Sequence, residues 1–84
     1  MEIIHVCKHY IDMNSFDELK ELMGGLSPSE DWSYGFQKVY LHACLKKRQE
    51  IATWLKDVVY PQLEPIQKIA LEQIFPYGRY LLSR

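Results

Sequence analysis

Two His-x-Cys pairs come nearest, by residue type and spacing, to a metal site in this chain. They are His5-Val6-Cys7 and His42-Ala43-Cys44. Imidazole and thiolate groups are ligands that zinc prefers. Both pairs, however, fall in segments with helical periodicity, where residues two apart point about 200° away from each other. Neither pair can then chelate one ion without local unwinding, so we expect no metal and no cofactor.

The two cysteines are expected to be core residues rather than nucleophiles. A catalytic thiol needs partial exposure beside a base, and Cys7 and Cys44 both stand among apolar residues. Free buried thiols are also the usual state of cysteine in a reducing compartment, so we expect no disulfide. The chain has no phosphate-binding loop, no Ser-His-Asp order and no paired carboxylates in an apolar setting. We therefore expect a protein that is not an enzyme.

One basic run and four aromatic residues are the candidates for binding another protein. The basic run, Lys46-Lys47-Arg48, is either solvated charge at a turn between helices or a contact for an acidic partner. Nucleic acid is the weaker alternative, because the net charge is -1 and nothing else adds to the basic patch. The aromatic residues lie in or beside connections between helices, where they either anchor a partner or cap the core; they are Trp32, Tyr34, Tyr60 and Tyr77.

The composition is that of one small folded domain, residues 1–84. Of its 84 residues, 48% are apolar and 25% are charged, a balance typical of globular chains. The apolar runs are far shorter than the roughly 18 residues that a membrane span requires. The N-terminal residues also lack the basic and apolar regions of a secretion signal. We expect an intracellular protein that does not insert into a membrane.

Apolar residues at helical spacing predict three helices in the first half of the chain. The first helix is expected to stop near residues 12–14, and its apolar residues are Ile3, Ile4, Val6, Cys7, Tyr10 and Ile11. The second follows the capping pair Ser15 and Glu18 and stops at Gly24-Gly25. A single helical turn is predicted over residues 27–30. The third helix, about residues 33–46, has two apolar sides: Phe36, Val39, Tyr40, Ala43 and Cys44 on one, and Leu41 and Leu45 on the other. This pattern predicts a helix covered from two directions.

Prolines divide the second half of the chain. The fourth helix, about residues 49–59, should end because Pro61 disfavours helical angles at Tyr60. The fifth is expected to begin at Pro65 and to be ended by Pro76, with an inward face of Ile66, Ile69, Ala70, Leu71 and Ile74. A short sixth helix, residues 77–84, is expected to pack back through Tyr80, Leu81 and Leu82.

The predicted fold class is all-α, a short solenoid-like array of three antiparallel helical hairpins. The hairpins cover about residues 2–25, 33–59 and 65–84, and the second is expected in the middle. Residues 14–22 lie over residues 47–55 with their charged and apolar positions roughly in step. Val6-Cys7 matches Ala43-Cys44 if the first helix is one turn longer. The third hairpin matches poorly, so the internal similarity concerns the first two.

This pattern resembles the ankyrin repeat, and more closely the divergent ankyrin-like repeats of large DNA viruses. Units of that kind often read Ala-Cys, a turn glycine, then Glu-Ile-Ala-x-Trp-Leu, which Ala43-Cys44 and residues 50–55 fit. The Thr-Pro-Leu-His start is reduced to Leu41-His42, and the Gly-Ala-Asp hairpin signature is missing. Asn14 and Lys47 stand where the family would place the turn glycine. The resemblance therefore implies a left-handed Lys47, whereas a continuous helix through this residue would contradict it.

Two functions are compatible with this sequence. The first is a non-enzymatic protein–protein interaction module that uses its loop edge and concave helix face; the resemblance implies a viral accessory factor acting on a host protein. On this hypothesis, Trp32→Ala or Tyr60→Ala weakens binding and leaves helicity intact. The second is a structural subunit of a virion or of a homo-oligomer, because a short solenoid exposes apolar ends. Here the residues at those ends are Ile3, Ile4, Tyr80, Leu81 and Leu82.

Overall fold

The computed structural model describes residues 3–24 and 32–84, and only the backbone of residues 32–34. This part of the chain is all-helical, as predicted, with six α-helices and no strand. The helices are α1 Ile3–Asp12, α2 Phe16–Gly24, α3 Trp32–Leu45, α4 Gln49–Trp54, α5 Pro65–Leu71 and α6 Ile74–Ser83. The turn predicted over residues 27–30 and the side chains of Trp32 and Tyr34 lie outside the described residues.

The turns of the first two hairpins are built in the same way. Asn14, between α1 and α2, has φ 56°, and Lys47, between α3 and α4, has φ 62°. Each turn carries the two crossed backbone hydrogen bonds of a Schellman motif. In the donor-to-acceptor direction these are Ser15 to Tyr10 (2.8 Å), Asn14 to Ile11 (3.0 Å), Arg48 to Ala43 (2.9 Å) and Lys47 to Cys44 (3.1 Å).

These hydrogen bonds set the register between the two hairpins. Asn14 and Lys47 are 33 residues apart, a spacing that also separates Ile11 from Cys44. Ile11, rather than Cys7, is therefore the residue that occupies the position of Cys44 relative to the turn. The match of Val6-Cys7 with Ala43-Cys44 applies only with the extra helical turn that it assumed, since Cys7 precedes Asn14 by seven residues and Cys44 precedes Lys47 by three.

Helix α3 lies at the centre of the molecule and contacts α1, α4, α5 and α6. All five residues of its first predicted apolar side are buried: Phe36, Val39, Tyr40, Ala43 and Cys44. On its second side Leu41 is half-buried and packs against the core. Leu45 is 57% exposed, so the prediction that this side is covered as well is wrong at the end of the helix.

The helix that begins with α4 continues further than predicted. It widens into a π-helical segment, Leu55–Val59, and tightens into a 3-10 turn, Tyr60–Gln62. Tyr60 keeps helical angles, φ -57° and ψ -44°, so the expected end before Pro61 is wrong. Proline is tolerated here because the first residues of a helical turn need no amide hydrogen. The chain becomes extended only at Leu63.

The start of α5 at Pro65 and the burial of Leu71 and Ile74 are confirmed, but the predicted end of α5 and the rest of its inward face are wrong. The helix ends at Leu71, and Pro76 lies in the first turn of α6, where its missing amide has no intrahelical partner to lose. Gln67 and Leu71 face the core, whereas Ile66 is 78% and Ile69 is 69% exposed. Ala70 is exposed as well.

Helix α6 packs directly on α3. Its inward residues are Ile74, Gly78 and Leu81. Leu81 and half-buried Leu82 pack back as predicted, but Tyr80 is 59% exposed. Extents of 29 × 28 × 20 Å describe a compact globule around α3.

Candidate functional site

The two cysteines are free and fully buried, as predicted. Burial raises the pKa of Cys7 to about 11. Burial also raises the pKa of Cys44, although a hydrogen bond with Tyr40 acts in the opposite direction. Both groups are therefore protonated thiols at neutral pH, and neither can act as a nucleophile in the folded chain.

The candidate metal ligands do not converge. Among the described residues, no three His, Cys, Asp or Glu side chains are grouped so that they could hold a metal ion. His42 instead donates from Nε2 to Asp12 Oδ1 at 2.8 Å, which ties α3 to the end of α1. This hydrogen bond is the main cause that holds the pKa of Asp12 below its usual range, and the charges of His42, Lys46 and His9 add to it.

The basic run holds the ends of two neighbouring helices. Arg48 donates from Nε to the carbonyl of Ile11 and from a terminal guanidinium nitrogen to that of Asp12, both at 3.1 Å. Lys47 donates from Nζ to the carbonyls of Leu81 and Arg84. Cations are favourable at these positions because the carbonyl groups at a helix C-terminus lack intrahelical partners and carry negative partial charge.

These contacts show how three helices are arranged. The C-termini of α1 and α6 meet at the turn that follows α3, and both helices pack on α3; we call α1, α3 and α6 together a layer. Lys46 adds only an exposed pair with Asp12, at 3.9 Å, and such pairs contribute little to stability. The run lies at the predicted inter-helix turn, where Lys47 and Arg48 act as internal clamps.

Tyr60 is the first residue of the 3-10 turn, and its ring packs among aromatic side chains. It is half-buried, and its hydroxyl donates to the carbonyl of Lys68 at 3.1 Å. Its ring centre is 4.7 Å from that of Phe75 and 6.1 Å from that of Phe36, near the start of α3. The basic run follows the other end of α3. Tyr60 and the basic run therefore lie near opposite ends of α3.

Tyr77 is 54% exposed, but it lies inside α6 rather than in a connection. Its ring stacks on that of Tyr80, with ring centres 6.4 Å apart, and the Arg84 guanidinium lies 5.9 Å from the centre of the Tyr80 ring. Tyr77, Tyr80 and Arg84 follow one another at helical spacing. We call them the α6 aromatic strip.

The exposed isoleucines of α5 form a second apolar surface that the sequence reading missed. Ile66 and Ile69, here called the α5 isoleucine pair, are one turn apart and point away from the core. The signal for this register is the spacing of Glu64 and Gln67 around Pro65. They form a capping box in which Gln67 Oε1 accepts from the backbone amide of Glu64 at 3.1 Å, so the buried Gln67 side chain has a polar partner.

A polar cleft opens between the π-helical segment and α6. Its volume is about 210 Å³, and its polar lining comes from Thr53, Lys56, Asp57 and Arg79. Tyr40 and Phe75 line it as well. No sequence motif marks this cleft, because its walls come from four separate helical segments.

No family model, no curated protein and no solved structure matches this chain. Among the described helices, none combines the length and the apolar character that crossing a bilayer requires.

Proposed function

We propose that this protein is a non-enzymatic protein–protein interaction module. The observation that carries the proposal is the α5 isoleucine pair, at 78% and 69% exposure for Ile66 and Ile69. Burying one such side chain is worth about 1.5–3 kcal/mol. The fold leaves both in water and buries Gln67 on the opposite side of the same helix. An apolar pair that folding does not use is suited to a partner's apolar surface.

The α6 aromatic strip supports the same function. Tyr and Arg are enriched among residues that dominate binding energies, because they offer large contact areas with polar ends. Tyr77 and Tyr80 are more than half exposed and are held by their mutual stacking. The strip and the α5 isoleucine pair together are the surfaces we assign to the partner. Trp32, Tyr34, Tyr60 and the basic run remain secondary candidates.

The resemblance to divergent ankyrin-like repeats adds a proposal about the partner. The left-handed Asn14 and Lys47, 33 residues apart, support it, because ankyrin units recur with that period. A viral accessory factor that binds a host protein remains the specific form of this proposal, with action inside the cell.

The test compares affinity purification with the native chain, with Ile66→Ser plus Ile69→Ser, and with the matched control Val58→Ser. Val58 is also exposed, at 43%, but lies on the π-helical segment. Serine at these exposed sites should change stability by no more than about 0.5 kcal/mol. We expect the double variant to lose a protein that the native chain and the control retain. Retention of the same proteins by all three would contradict the assignment of this surface.

A structural subunit is the second candidate, favoured by the α6 aromatic strip on the last helix of the α1, α3 and α6 layer. At the other end of this layer Ile3 and Ile4 are half-buried. Light scattering over a concentration series separates the two functions. Self-assembly would make the mass of the native chain rise with concentration, while the variant Tyr77→Ser plus Tyr80→Ser keeps the monomer mass. A constant monomer mass of the native chain would exclude self-assembly.

A further inference from the structure

The polar cleft beside the π-helical segment has the size of a site for a small charged group. At about 210 Å³ it is smaller than the roughly 300–1,000 Å³ of pockets that enclose drug-sized ligands. Its walls are rigid helical elements: α3 contributes Tyr40, α4 contributes Thr53, and α6 contributes Phe75 and Arg79.

The π-helical segment forms the remaining wall. Leu55 is fully buried, and Lys56 and Asp57 follow it as exposed residues that line the cleft. Single π-helical turns inside α-helices are rare and occur frequently at functional sites, because the wider turn redirects the side chains around it. Here the widened turn brings one cation and one anion to the cleft.

Two cations, Lys56 and Arg79, line the cleft. Lys56 Nζ lies 5.7 Å from the centre of the Phe75 ring, and that ring packs edge-on against Tyr40 with centres 5.1 Å apart. Arg79 lines the cleft from α6, and its charge counteracts part of the rise that burial causes in the pKa of Tyr40. Neither Lys56 nor Arg79 forms an ion pair with another described residue.

We propose that this cleft binds a compact oxyanion, a carboxylate or a phosphate group, between Lys56 and Arg79. The two cations supply charge-assisted hydrogen bonds, and the Thr53 hydroxyl supplies a neutral donor. Asp57 is the opposing charge in the lining and weakens the site, which leaves the cleft with one net positive charge. This site is independent of the α5 isoleucine pair and of the α6 aromatic strip.

The test is a titration of the full chain with inorganic phosphate, followed through backbone amide chemical shifts at constant ionic strength set with sodium chloride. We expect saturable shifts at Thr53, Lys56 and Arg79. Lys56→Gln and Arg79→Gln should each weaken binding by about fivefold, whereas Asp57→Asn should strengthen it by about fivefold. Lys8→Gln, a lysine of α1, is the matched control and should change nothing.

A parallel titration with acetate distinguishes the sources of the oxyanion. Saturation by acetate at lower concentration than phosphate indicates a carboxylate, such as an acidic side chain of a partner, and the reverse order indicates a phosphate group. Chemical-shift changes around Lys8 as large as those at Thr53, Lys56 and Arg79 would overturn the proposal. So would saturable shifts that persist in the double variant Lys56→Gln plus Arg79→Gln. Circular dichroism of each variant confirms that these exposed substitutions leave the helices intact.

Discussion

Gly78 lies where α6 crosses α3 at close range. A Cβ atom added at this position would be 2.5 Å from Tyr40 Cε2 and 2.9 Å from Cys44 Sγ. Both of those side chains are buried, at 4% and 0% exposure, and have no free space to move into. Glycine weakens a helix interior by itself, but the packing of α6 on α3 requires it at this position.

We expect Gly78→Ala to destabilise the protein by about 1–3 kcal/mol, as overpacking of a filled core does. This would occur although alanine favours a helix over glycine by about 1 kcal/mol. Urea unfolding measures the change. Gly24→Ala is the matched control, because among the described residues no atom outside its own helix neighbourhood lies within 4 Å of the added Cβ, and it should be neutral or slightly stabilising. Equal effects at both glycines would contradict the close approach of α6 to α3.

Asp12 gives the stability of this protein a pH dependence at the acid end. Its pKa lies below 3.8, mainly because of the hydrogen bond from His42. A lowered carboxyl pKa contributes stability above the unfolded value, and this contribution is lost as pH falls through the folded value. The advantage of the native chain over Asp12→Asn should therefore shrink as pH drops below 3.8.

Urea unfolding of both proteins over a pH series tests this expectation. In a His42→Gln background the main cause of the shift is removed, so Asp12→Asn should change stability by nearly the same amount at every pH. A difference between the native chain and Asp12→Asn that stays constant through the acid range would contradict the role of His42.

At the scale of elements, the turn at Lys47 joins backbone conformation to helix packing. The residue is left-handed, with φ 62°, and its side chain holds the end of α6. Lysine is disfavoured in this conformation by about 1 kcal/mol, so the side-chain contacts offset a local cost. Glycine at the family's turn position would avoid the cost and lose the clamp.

Two substitutions at Lys47 separate the cost of its left-handed backbone conformation from the contribution of its side-chain contacts. Lys47→Gly and Lys47→Ala both remove the contacts of Nζ, so their difference reports the left-handed conformation alone. We expect Lys47→Gly to be more stable than Lys47→Ala by about 1 kcal/mol. At Lys20, an exposed position inside α2, the alanine variant should instead be more stable than the glycine variant by about 1 kcal/mol. The same order at both sites, measured by thermal unfolding, would show that the turn is not left-handed in solution.

On the scale of the whole molecule, the two cysteines report whether the layer of α1, α3 and α6 opens as one unit. Cys7 lies in α1 and Cys44 in α3 beneath α6, and both are fully buried. A domain of this size is expected to unfold in one cooperative step. Alkylation of either thiol then requires the same opening reaction.

We expect iodoacetamide to label Cys7 and Cys44 at equal rates, on the order of 10³-fold slower than in urea, given a free energy of unfolding of about 5 kcal/mol. Mass spectrometry of proteolytic fragments separates the two sites, and the urea-unfolded chain supplies the reference rates. Faster labelling of Cys44 would mean that α6 detaches before the rest of the protein unfolds.

The helical class, the turns after α1 and α3 and the burial of both thiols could be predicted from the sequence alone. These features depend on contacts within a few residues, such as the apolar stripe around Phe36, Val39 and Tyr40 or the stop at Asn14. Which side of α5 faces the core and which helix lies beside α3 depend on contacts between distant parts of the chain. Ile66 and Ile69 have the apolar spacing of a core face, but α5 packs on α3 with Gln67 and Leu71 buried instead.

The same limit applies to the functional surfaces. Lys47 and Arg48 are clamps because the ends of α6 and α1 come within reach of their side chains, over separations of 34 and 37 residues. The polar cleft likewise exists only because α6 lies against α3 and beside the π-helical segment. Local periodicity carries no information about such distant pairs, since many arrangements of six amphipathic helices bury similar stripes and only packing selects one of them.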